Sequence, residues 1–175
     1  MEIPLYAFIT IYLYFKGIDI LFSYFNLQNK PTNLHQQLQS ILSPLSCISI
    51  YFMLLVILNI RQRIIGKEYN PLQIEKPKSI QLVAINNIIQ NSIESLFIFL
   101  PLYLKWSLKQ QESRNILAMG YLYLIARILF AIGYYSGTFK LKYARQRRFG
   151  FALSFHICIL LILDFFQVPL IQYIV

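Results

Sequence analysis

The chain has 175 residues, of which 57% are hydrophobic and only 13% charged, with a formal net charge of +9 and a mean hydropathy of +0.54. Average soluble domains are about 25% charged, so a water-soluble globule of this size has too little polar surface to cover its apolar side chains, and the same composition excludes a disordered chain. The excess of 16 basic over 7 acidic residues then reads as loop charge beside a bilayer, not as a nucleic-acid footprint.

Five apolar stretches are each long enough to cross about 30 Å of hydrocarbon, which takes about 20 helical residues. The first, Ile3–Phe25, follows Met1-Glu2 with no basic n-region and is longer than a signal-peptide core. It reads as a retained helix, with Lys16 and Asp19 on one face as a local ion pair. The second, Ile41–Ile60, lies in a charge-free window. The third, Ser79–Leu104, contains Glu94. The fourth, Asn115–Phe139, contains Arg127 and a Gly133/Gly137 spacing that favours close helix packing. The fifth, Phe149–Tyr173, contains His156 and Asp164. The expected fold is an all-α integral membrane protein of five spans: an appended helix over 1–30 and a four-helix transmembrane domain over 41–175.

The loops set the orientation. Arg61–Lys78 and Lys140–Arg148 fall on the side of the N-terminus and carry five Lys or Arg each. The other side receives Lys30, Lys105, Lys109 and Arg114. A split of ten to four makes the first side cytosol or matrix.

Charges at bilayer depth are costly and are usually paired or functional. Glu94 lies 11 residues before Lys105 and Arg127 lies 13 after Arg114. In an antiparallel hairpin their depths differ by only about 3 Å. They are expected to neutralise each other near the midplane, and a ligand site using the same Glu94 stands beside that reading. Chemistry templates are missing. There is no phosphate-binding glycine loop, no zinc-protease motif and no nucleophile elbow. Cys47 and Cys158 form no disulfide framework, and no metal site is expected.

The run Gln90-Asn91-Ser92-Ile93-Glu94 resembles the second-helix motif of the MAPEG superfamily, the membrane-associated proteins of eicosanoid and glutathione metabolism. The stretch from Ala126 to Gly137 is similar to its third helix, and Arg145–Arg148 followed by Gly150 resembles the start of its fourth. Lys67-Glu68-Tyr69-Asn70-Pro71 looks like the segment after its first helix. Within the superfamily the resemblance is nearest to microsomal glutathione transferase of the third type, and it covers about Ser43–Phe166.

The resemblance implies a four-helix, homotrimeric fold with glutathione as cofactor between subunits. Asn91, Glu94 and Tyr134 would line the glutathione site, and Arg147, or its neighbour Arg148, would stabilise the thiolate. A cation suits that role because it lowers a thiol's pKa. The sequence also departs from the pattern. The Arg that usually precedes the second-helix Asn is missing, since no Arg lies between Ser79 and Leu104, and Asn87 and Ile89 occupy the neighbouring turn. Phe130 stands where many members carry Tyr or His.

Two functions follow. One is a catalytically degenerate accessory subunit, packed on other membrane subunits of a larger complex. Its expected home is the mitochondrial inner membrane, for example the respiratory chain. The other is an active glutathione transferase or peroxidase on lipophilic electrophiles, in endoplasmic reticulum or the outer mitochondrial membrane.

Overall fold

The structure, a computed structural model, describes residues 34–66, 79–110, 113–139 and 146–166. The predicted span Ile3–Phe25, with Lys16 and Asp19, lies outside the described residues. Four helices are seen: α1 (Leu34–Ile65), α2 (Ile80–Lys109), α3 (Ser113–Phe139) and α4 (Gln146–Phe165). The first three overrun the predicted spans, because polar residues such as His35, Gln36, Arg61 and Arg63 continue a helix past the hydrocarbon at little cost. Leu34–Ile65, Ile80–Lys109 and Ser113–Gly137 are long and apolar enough to cross a bilayer, whereas Gly150–Phe165 is a shorter apolar helix. The fifth predicted span is thus represented only by this shorter segment; its remainder lies outside the described residues.

The helices occupy the corners of a bundle. α1 packs on α2 and α3, α4 packs on the same two, and α1 and α4 make no contact among the described residues. The core is aromatic towards the less basic side. Phe99 stacks on Tyr103 and Tyr123, with ring centroids 5.0 and 3.8 Å away. Both phenols are satisfied, as buried hydroxyls require: Tyr103 donates to the Ile116 carbonyl at 3.0 Å and Tyr123 to Ser95 Oγ at 3.0 Å. Two glycines permit close approach. A side chain at Gly120 would meet the Pro44 ring of α1 at 2.5 Å, and one at Gly150 would meet the Phe130 Cα at 2.6 Å. Neither belongs to the Gly133/Gly137 spacing.

The end of α2 is capped from another helix. Gln37 Nε2 donates to the carbonyls of Ser107, Leu108 and Gln110 at 2.9, 3.3 and 3.1 Å. Ser107 and Leu108 lie in the last turn of α2 and Gln110 is its C-cap, where carbonyls run out of helical partners; the Ser107 carbonyl also accepts from the Gln110 N–H at 3.2 Å. Gln37→Leu is expected to cost about 0.5–1.5 kcal/mol and to speed amide exchange at Lys109 and Gln110 selectively, as hydrogen-exchange mass spectrometry would report. Nearby, Lys109 pairs with Asp164 at 3.4 Å and the Lys105 ammonium lies 3.2 Å from the Phe165 ring centroid. These contacts join the ends of α2 and α4.

Candidate functional site

Seven of the ten residues from Asn86 to Ser95 are polar, and they serve three faces of α2. Towards α1, Asn59 Nδ2 donates to Asn86 Oδ1, and Arg63 Nε donates to Asn59 Oδ1 at 2.9 Å. Sequence reasoning counted Arg63 only as loop charge. The usable signal was that Asn59 and Arg63 are four apart and share a helix face.

Towards the bundle interior lies Arg127, 2% exposed. Its Nη2 donates to Ser92 Oγ at 2.9 Å and its Nη1 to Ser154 Oγ at 3.3 Å. The guanidinium carbon sits 4.4 Å from the Phe130 ring centroid, while Nε has no partner. The Tyr51 hydroxyl donates to the Arg127 carbonyl at 3.2 Å. All four helices therefore meet at this residue. The expected Glu94–Arg127 ion pair is not formed. Glu94 is exposed and accepts from Gln90 Nε2 at 3.0 Å. Ser92, two residues before Glu94, stands at the level of Arg127. Two further residues turn the helix by about 200°, which carries the Glu94 carboxylate to the opposite face.

The third face is a strip at helical spacing, Asn87, Gln90, Asn91 and Glu94. Asn87 Nδ2 donates to the Tyr134 hydroxyl of α3 at 2.9 Å, and Asn91 Nδ2 donates to the Asn87 carbonyl at 3.1 Å. Asn91 and Tyr134 are half-buried, so these two predicted site residues do come together, joined through Asn87. Arg148 is exposed in the first turn of α4. Arg147 falls in the same turn, and its side chain lies outside the described residues. Gly150 rests against Phe130. Arg147 is about 4.5 Å up the helix axis from Gly150, and Tyr134 about 6 Å from Phe130, so the start of α4 lies near Tyr134 in depth. His156 turns inward on its own helix, its Nδ1 2.6 Å from the Ala152 carbonyl. Among the described residues no cluster of three or more His, Cys, Asp or Glu could hold a metal.

Long apolar helices, a buried arginine at their junction and an amide-and-carboxylate strip opening outward define a helical membrane bundle with a polar seam. The MAPEG family model matches residues 41–166, most of the described bundle, and the chain belongs to the MAPEG family. It is accordingly a multi-pass, all-α integral membrane protein in contact with a lipid bilayer. Neither a search of curated proteins nor one of solved structures returns a match.

Proposed function

We propose that this protein is a catalytically degenerate MAPEG protein that serves as an accessory subunit of a larger membrane complex, with the mitochondrial inner membrane and its respiratory chain as the setting. The observation that carries this reading is the strip on α2. It presents three amides and one carboxylate but no cation, and the neutral Asn87 amide is spent on the Tyr134 hydroxyl. Glutathione carries two carboxylates, and losing a charged hydrogen bond to one of them costs about 1.5–3 kcal/mol, roughly tenfold to a hundredfold in affinity. Exposed polar groups at bilayer depth call for a protein cover, which an assembly supplies.

Glutathione added to the purified protein tests this. The reading predicts no ultraviolet thiolate band. A band that disappears in Arg147→Ala would overturn it and favour the second reading, an active glutathione transferase or peroxidase. The observation favouring that alternative is that Asn91, Glu94 and Tyr134 lie on or against one strip. Asn87→Arg is expected to raise retention on immobilised glutathione at least tenfold, because it places a guanidinium one turn from Asn91.

A further inference from the structure

Within the apolar spans, Glu94 is the one charged side chain that stands exposed among the described residues. Its hydrogen bond from Gln90 uses only one oxygen of the carboxylate. A carboxylate at this depth is costly against lipid and is ordinarily met by an opposite charge. The described cations are already placed. Arg127 is buried on Ser92 and Ser154, and Lys109 pairs with Asp164 outside the hydrocarbon. Of the 16 basic residues, only Arg127 and Lys16 fall within the five apolar stretches. Lys16 belongs to Ile3–Phe25, outside the described residues.

Eight residues join Phe25 to Leu34, a reach of at most about 30 Å, and connections of this length usually join neighbouring helices. The start of α1 is itself held against the end of α2 by Gln37. A span ending at Phe25 is thereby delivered to the flank of α1 and α2. It runs in the direction of α2, because α1 runs back between the two. Lys16 lies nine residues before Phe25 and Glu94 ten before Leu104, so their depths differ by only about 1.5 Å. The other outer faces offer no charge to match. On α1, the exposed Ser46 and Ser49 hydroxyls donate to the Leu42 and Leu45 carbonyls at 2.9 and 3.0 Å. On α3, the exposed residues Ile125, Ile128, Leu129 and Ile132 are apolar. We infer that residues 3–25 pack on the α2 face carrying Gln90 and Glu94 of the same chain, with the Lys16 ammonium between the Asp19 and Glu94 carboxylates. An ammonium has three N–H donors and can serve both. Apolar flanks continue the match: Ile93 and Phe97 (78% exposed) beside Glu94, and Leu13 and Ile20 one helical turn either side of Lys16. The segment supplies the first layer of cover over the strip, and partner subunits pack outside it. The inference rests on the reading of the α2 strip as a protein-covered face.

Cysteine cross-linking of the full-length chain in membranes tests it. The chain carries Ile20→Cys and Phe97→Cys, which leave both charges in place, and a short bis-maleimide is added. Peptide mapping locates the linked pair, so Cys47 and Cys158 stay. A link between positions 20 and 97 within one chain is expected. No such link, or a higher yield when Ser49→Cys or Ile128→Cys replaces Phe97→Cys, overturns the contact. So does a link formed chiefly between two tagged chains that carry one new cysteine each. Glu94→Gln in the linked variant is expected to lower the yield at least threefold, and Lys16→Glu combined with Glu94→Lys to restore it. An unchanged yield in Glu94→Gln overturns the charge pairing. Loss of the link with other membrane subunits still co-purifying overturns this contact alone, whereas a thiolate band with the link intact overturns the accessory reading alone.

Discussion

Replacing Gly150 with valine is expected to lower the thermal midpoint in detergent by roughly 2–12 °C, read by circular dichroism. A Cβ at this position falls 2.6 Å from the Phe130 Cα and 2.7 Å from the Ala126 carbonyl oxygen. These are backbone atoms of α3, and no rotamer change can clear them. Overpacking of this kind costs about 1–3 kcal/mol or more, and each kcal/mol is worth about 2–4 °C in a chain of this length. The helix-propensity gain on leaving glycine, about 1 kcal/mol at most, does not offset a forced separation of α3 from α4. The separation also draws Ser154, one turn on, away from Arg127. At Gly120 the obstructing atoms are the Pro44 ring and the Tyr103 hydroxyl, so alanine there is expected to cost less.

Arg127→Ala is expected to cost about 2–5 kcal/mol, because it leaves a cavity where four helices meet. Arg127→Met is expected to recover more than half of that loss. It restores most of the volume and removes a guanidinium that has no carboxylate partner among its contacts and an unsatisfied Nε. Replacing a buried charge with a well-packed hydrophobe is often neutral or stabilising. What Met cannot do is hold Ser92 and Ser154 at one level, so its cost should appear as looser pairing of α2 with α4. Thermal melts of both variants, with amide exchange along α4, measure the two effects separately. Equal loss in both variants would show that the hydrogen bonds, not the volume, hold the bundle.

The spans over α1, α2 and α3 were legible in the sequence because apolar content over about 20 residues is a strong signal. Their ends were not, since Gln37 and Arg63 look like loop residues until the helices that they serve are in view. Depth was legible and azimuth was not. Counting residues from the loops put Glu94 and Arg127 at nearly one level, yet the carboxylate points out and the guanidinium points in. Serines 92 and 154 carry no sequence mark as guanidinium partners. One departure from the resembled pattern was readable directly: no arginine lies between Ser79 and Leu104, and Asn87 and Ile89 occupy the turn before Asn91. The structure adds that the Asn87 amide is committed to Tyr134.

The carboxylate strip on α2 and the uncharged amide at Asn87 favour assembly over catalysis, and the mass of the native particle decides between them. The protein is extracted from its own membranes in mild detergent, without cross-linker, and weighed by native mass spectrometry. A particle that contains other membrane proteins is expected, with no glutathione bound to the 20.7 kDa chain. A particle made solely of copies of this chain, carrying glutathione, would contradict it.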